Sequence, residues 1–209
     1  IQRAHSKVNF SLQKQEAIND LMGAIIRNEN IGEKVYNYMS DIFGNQIIKR
    51  LNITLFDFNK EMVKFYFLRE TGIEKIKNEK FPLSNFSNES ILTLKQNKRV
   101  IIESLQDKAV LSESDKQMIR NNINSFASFP LMIDNVLLGS FNVSVEDKIE
   151  FDEEQEGFIS MLIEGITIAI HQSLLFTEIS SKNNQLSKLN QEVKASINYA
   201  QKLQQSVLP

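Results

Sequence analysis

Chemistry in a polypeptide begins with nucleophiles, metal ligands and paired carboxylates, and this chain of 209 residues holds few of them. It has no cysteine, which removes disulfides, thiolate metal sites, a thiol nucleophile and any thioether-linked chromophore. His5 and His171 are its only histidines, and one His without carboxylates at ligand spacing builds no metal site. There is no glycine-rich phosphate loop, no Ser/His/Asp set and no carboxylate pair at useful spacing. No catalytic residue, no metal site and no required cofactor is therefore expected. What remains is binding chemistry. Ser128, Ser140 and Asn142 offer hydroxyl and amide groups beside the aromatic Phe56, Phe86 and Phe126. Such a mixture suits a small, partly polar ligand of unknown identity.

The elements that must position these side chains follow from periodicity. Leu12 to Asn28 places Leu12, Ala17, Leu21, Met22, Ile25 and Ile26 near one helical stripe. Gly32 interrupts, and a second helix turns Val35, Tyr38, Met39, Ile42 and Phe43 inward before Gly44-Asn45 ends it. The period then becomes two: Leu51, Ile53 and Leu55 alternate with Asn52, Thr54, Phe56 and Phe58. Met62 to Leu68 is the returning strand. Phe81-Pro82-Leu83 is an extended edge, Asn88 to Asn97 a short helix and Arg99 to Glu103 a further strand. Ser112 or Ser114 caps a helix through Asn122 with Asp115 in its first turn. Ser125 to Ile133 and Val136 to Val145 pair through the tight turn Asp134-Asn135. Alternation puts Leu137, Phe141, Val143 and Val145 on one face, and Leu138, Ser140, Asn142 and Ser144 on the other. The apolar face should pack under the first and last helices. The mixed face should lie beneath the irregular segment 70–123, as a ligand cavity, a second filled core or a solvated surface; periodicity does not separate these three.

From Asp152 to Leu208 no proline interrupts a helical pattern that would span roughly 80 Å at 1.5 Å per residue. Ile179, Leu186, Val193, Ala200 and Val207 stand seven apart, and Leu175, Leu189 and Leu203 form the other seam, with Lys182 and Ser196 as polar breaks. A helix with no core of its own needs a partner, and a parallel homodimer is the simplest. Net charge is −2, so nothing points to nucleic acid or an anionic membrane. No apolar run approaches the ~20 residues of a membrane span, and a cytoplasmic location fits a chain without cysteine.

Two stretches carry a family resemblance. Phe81-Pro82-Leu83, Asn88 to Asn97 with Val100-Ile101-Ile102, Ser125 to Leu131, Val136 to Val143 and Phe151-Asp152-Glu153-Glu154 resemble a GAF domain, a small-molecule sensor fold related to PAS domains. The resemblance implies an α+β fold: an antiparallel sheet with helices on one face and a long C-terminal signalling helix. Gly139 would let a helix approach the sheet closely. Lys148 with Phe151-Asp152-Glu153, and Asn142 upstream, is similar to the signature of cyclic-nucleotide-binding GAF domains, although its spacing departs from that pattern. An acidic helix N-terminus is the competing reading. At the far end, Ala200, Leu203, Gln204, Val207, Leu208 and Pro209 resemble the helical lead-in of SpoIIE-like serine/threonine phosphatases of the PPM type. Together these imply a helical extension over residues 1–14, a GAF sensor over 15–177, and a coiled-coil linker over 178–209 leading to an output domain beyond this chain. The expected function is a regulatory sensor and dimerisation module of a bacterial signalling protein. A ligand-free dimerising or docking domain feeding a cyclase or kinase is the alternative.

Overall fold

The structure is a computed structural model that describes residues 16, 18–27, 31–44, 46–70, 73–75 and 80–207. The expected extension over 1–14, His5, Leu208 and Pro209 lie outside the described residues. Helix α1 occupies residues 18–27 and α2 Ile31–Phe43, which takes Gly32 into its first turn. Seven strands follow: β1 Ile48–Asp57, β2 Met62–Glu70, β3 Ile73–Lys75, β4 Lys80–Pro82, β5 Val100–Ile102, β6 Ser125–Ile133 and β7 Val136–Val145. Helix α3, Asn88–Lys95, sits between β4 and β5; α4, Glu113–Arg120, sits between β5 and β6; α5 runs Glu153–Val207. All strand pairs are antiparallel, in the order β3-β2-β1-β7-β6-β5, with β4 also on β2. This is a GAF/PAS-like α+β fold.

One sheet face is apolar, as alternation required. Leu51, Ile53, Phe67, Ala127, Phe129, Leu131, Phe141, Val143 and Val145 pack against Ile18, Leu21 and Ile25 of α1, Val35 and Met39 of α2, and Ile159, Leu162 and Ile166 of α5. At about 25 cal/mol per Å² of apolar area buried, this core is the main stabilising element. The other face carries a smaller cluster of Leu94, Val100, Leu105, Met118, Ile123, Phe126 and Leu137 beneath α3 and α4.

Leu137 is therefore on the face opposite to the one that alternation assigned. The register explains it: Leu131 pairs with Gly139, but Met132 pairs with Leu137. Leu138 is an extra residue on β7, a bulge, and it reverses the side-chain order beyond it. Gly139 also has a different reason. A Cβ there would lie 2.0 Å from the Thr54 carbonyl oxygen and 3.1 Å from Leu55 Cα. The close neighbour is the backbone of β1, not a helix.

The chain divides into two compact units, residues 1–170 and 171–209. In the first, α5 opens with a reciprocal cap: Gln155 N–H donates to Asp152 Oδ1 at 2.8 Å and Asp152 N–H to Gln155 Oε1 at 2.8 Å. Contrary to the sequence expectation, α5 is long and apolar enough to cross a membrane by length and composition. In the first unit its apolar side chains Ile159, Leu162, Ile166, Ala169 and Ile170 are buried in the core. In the second unit the helix exposes its apolar residues along its length.

Candidate functional site

The mixed face of the sheet is built from rungs that cross the strands. Asn52 of β1 pairs with Asn142 of β7, and Asn142 with Ser128 of β6. Pairing at one level brings three side chains from three strands into one row. Asn142 is the centre. Its Nδ2 donates to Asn52 Oδ1 at 2.5 Å and approaches Thr54 Oγ1 at 3.1 Å and the Ser140 carbonyl at 3.3 Å. Its Oδ1 accepts from Ser128 Oγ at 2.5 Å, and Thr54 Oγ1 donates to Asn52 Oδ1 at 3.1 Å. Asn52, Thr54, Ser128 and Ser140 are buried. Burying such groups is tolerated because they satisfy one another.

A cavity of about 70 Å³ lies over this row. About 10–15 Å³ of such volume holds one water, so the space admits several waters or a ligand of a few heavy atoms. All six residues proposed from sequence, Phe56, Phe86, Phe126, Ser128, Ser140 and Asn142, line it. Its roof is the N-terminal turns of α3 and α4, contributing Ser87, Ser90, Ser112, Ser114 and Asp115. Phe86 follows the short turn Leu83–Asn85, whose Leu83 N–H is held by the Glu61 carbonyl at 2.8 Å. The same side chains Phe86, Ser87, Ser90 and Ser112 also line a wider surface groove along residues 84–112.

The roof is fixed by caps. Ser112 Oγ accepts from Asp115 N–H at 3.2 Å, and Asp115 Oδ2 accepts from Ser112 N–H at 2.9 Å, a capping box. Asp115 is only 2% exposed and its carboxylate pairs with Lys108 Nζ at 2.6 Å. Ser87 caps α3 through Ser90 N–H at 3.4 Å.

Sequence reasoning missed Arg50. It lines the cavity and is 5% exposed, with its guanidinium 5.4 Å from the Phe65 ring. Burial pulls its pKa below the ordinary value, and the charge of Glu70 opposes that pull. The signal was present: Arg50 precedes Asn52, Thr54 and Phe56 in the same period-two series.

The residues similar to the cyclic-nucleotide signature do not assemble here. Lys148 pairs with Glu103 at 3.1 Å and Glu150 at 3.4 Å. Phe151 packs against Phe43 and Phe129, and Asp152 caps α5. Of that set only Asn142 lines the cavity. Among the described residues no group of three His, Asp or Glu side chains could hold a metal ion.

In the second unit, Leu175, Ile179, Leu186, Leu189, Val193, Ala200 and Leu203 are all exposed. Lys182, one polar break in the heptad, pairs with Glu178 on the same helix at 2.6 Å.

Residues 69–171 match the family model described as GAF domain. No curated protein matches the chain. Among solved structures, the chain is similar in fold to the chromophore-binding domain of a bacteriophytochrome from R. palustris, with TM-score 0.59 and 14% identity over 79% of this chain and 62% of that one. It is similar to the GAF domain of an Acinetobacter phosphoenolpyruvate-protein phosphotransferase, with TM-score 0.56 and 14% identity over 79% and 98%. It is also similar to the GAF domain of a two-component sensor histidine kinase from Bacillus halodurans, with TM-score 0.54 and 16% identity over 70% and 97%. This chain thus spans less than two thirds of the bacteriophytochrome domain it matches. At these identities the likeness is one of fold.

Proposed function

From the GAF domain at residues 69–171, a sensory module of signalling proteins such as histidine kinases and phytochromes, we propose that this chain is the regulatory sensor and dimerisation module of a bacterial signalling protein. A small molecule enters the cavity, and α5 carries the change of state to a C-terminal SpoIIE-like protein phosphatase. The chain itself contributes no catalytic group in this reading.

The observation that carries it is the polar row Asn52–Asn142–Ser128 on the floor of a cavity. A core built only for packing would be apolar, since each buried amide or hydroxyl must be satisfied to avoid a cost of about 1–3 kcal/mol. Here the groups hold one another in fixed orientations and face open volume. That is the make-up of a small-molecule site.

The exposed heptad supports the second half. Its partner is a second copy in parallel register, because Ile179, Leu186, Val193 and Ala200 repeat at seven and the same stripe on two chains meets itself. The phosphatase output rests on Ala200, Leu203, Gln204, Val207, Leu208 and Pro209.

Three measurements test this. The mass of residues 1–209 in solution should be that of a dimer; a monomer at tens of micromolar would remove the coiled coil. Melting scans against nucleotides, amino acids and central metabolites should find a stabilising compound; a flat response to all would favour a ligand-free docking domain. Paired metal-binding aspartates in the sequence that follows Pro209 would support the phosphatase, and their absence would remove it.

A further inference from the structure

Arg50 is a buried cation that no carboxylate touches, although the charge of Glu70 acts on it. Its Nε makes no hydrogen bond, and no ion pair reaches it among the described residues. Its cross-strand neighbour Glu70 turns its carboxylate to Asn121, accepting from Nδ2 at 2.7 Å, and offsets the Arg50 charge only without contact. The other charged side chain in the cavity lining, Asp115, is matched by Lys108 and by the Ser112 N–H. Phe65 contributes only a ring at 5.4 Å. The lining therefore holds a guanidinium with an unpartnered Nε–H and no contacting carboxylate in a place closed to solvent, which is costly unless something pairs with it.

Around it the lining adds hydrogen-bond donors, with Asp115 as its one carboxylate. Helices α3 and α4 both begin at its roof, and a helix N-terminus carries partial positive charge. Ser87, Ser90, Ser112 and Ser114 add hydroxyls there. A guanidinium binds carboxylate or phosphate through two parallel N–H donors.

We infer that the cavity takes a small anion, a carboxylate or phosphate group paired with Arg50, with any apolar or polar remainder extending past Phe86 into the groove along residues 84–112. The inference rests on the sensing reading and names its ligand class. The volume of about 70 Å³ limits the enclosed part to a few heavy atoms. A group of acetate or phosphate size fits that limit.

The experiment is thermal melting of residues 1–209 with sodium acetate, sodium pyruvate and inorganic phosphate, each against chloride at equal ionic strength. At least one should raise Tm saturably, by about 5–10 °C at a hundred times its Kd. Arg50→Gln should abolish that rise, and Arg50→Lys should retain part of it. If Arg50→Gln does not fold, the Arg50 Nε–H signal of the unaltered chain is followed by NMR, and it should shift along the same titration. No saturable response to any of the three probes up to about 10 mM, an equal response in Arg50→Gln, or an unmoved Nε–H signal overturns the inference. A neutral compound that stabilises the unaltered chain and Arg50→Gln alike would leave the sensing reading standing while removing the anion. A flat response to compounds of every charge removes both.

Discussion

Replacing Gly139 by alanine tests how the cavity floor is built. Gly139 sits on β7 between β1 and β6, paired with Leu55 and Leu131. A Cβ at this position would stand 2.0 Å from the Thr54 oxygen and 3.0 Å from its carbon, whereas an ordinary carbon–oxygen contact is about 3.3 Å. The carbonyl must therefore retreat by about 1.3 Å, more than a quarter of the roughly 4.8 Å between strands. Neither atom can move alone, because both belong to backbone in the middle of the sheet. Overpacking of this kind costs about 1–3 kcal/mol, and one or two strained ladder bonds add about 0.5–1.5 kcal/mol each. The expected loss is about 2–6 kcal/mol, a large share of a typical 5–15 kcal/mol total. Urea denaturation at fixed protein concentration, followed by circular dichroism, reads it directly. With a slope of about 2 kcal/mol/M, the midpoint should fall by about 1–3 M. Thr54 also belongs to the Asn142 hydrogen-bond set, so any ligand affinity should fall in the variant that remains folded. A loss below about 1 kcal/mol at unchanged slope would mean that the strands are not held as close as the geometry requires.

Other perturbations separate other parts of the structure. Gly157→Ala on α5 meets nothing within 4 Å, so the better helix former should add about 0.5–1 kcal/mol in the same urea assay. Asn52→Ala and Asn142→Ala should each cost about 1–3 kcal/mol, and the double variant should cost less than their sum by about 1–2 kcal/mol, because either change alone breaks the bond of 2.5 Å between them; strict additivity would deny the coupling. Burial pushes the Tyr38 hydroxyl from 10.0 up to about 12. A raised pKa means the protonated form is favoured in the fold, so its contribution is whole below pH 10 and is lost as pH rises from 10 towards 12. The unaltered chain should lose about 2–3 kcal/mol more than Tyr38→Phe across that interval, read as the difference between their urea midpoints at each pH.

The sheet's two faces were legible because period-two alternation is imposed by the pleat itself. Leu51, Ile53 and Leu55 point one way and Asn52, Thr54 and Phe56 the other, and no tertiary contact can reverse that within an unbroken strand. What alternation cannot show is where a strand gains a residue. Leu138 on β7 is one such residue and Tyr66 on β2 is another, since Ile53 pairs with Phe67 but Thr54 with Phe65. A bulge changes the pairing without changing composition, so Leu137 crossed to the cavity side unannounced. Gly139 was legible as a point of close approach. Which element approaches was not, because a missing side chain does not say from which direction its space is filled.

Arg50 shows a different limit. Charge alone places an arginine at the surface, and most arginines are there. The series Arg50, Asn52, Thr54, Phe56 places it inward by the same period that located Phe56 correctly. The two rules conflict at one residue, and the pleat prevails because reversing it would turn every neighbour on the strand outward. A buried guanidinium that no carboxylate touches is then destabilising in isolation, and Arg50, Asn52 and Thr54 are all nearly closed to solvent. Local stability would favour an uncharged side chain there. That the guanidinium lines a cavity which two helix N-termini also line, with Asp115 paired to Lys108 and Glu70 acting on it without contact, makes the cavity's occupant the natural contact partner for its free N–H. Arg50→Met separates the two roles in urea denaturation: it should stabilise the ligand-free domain if the charge serves binding, and destabilise it if the charge serves the fold.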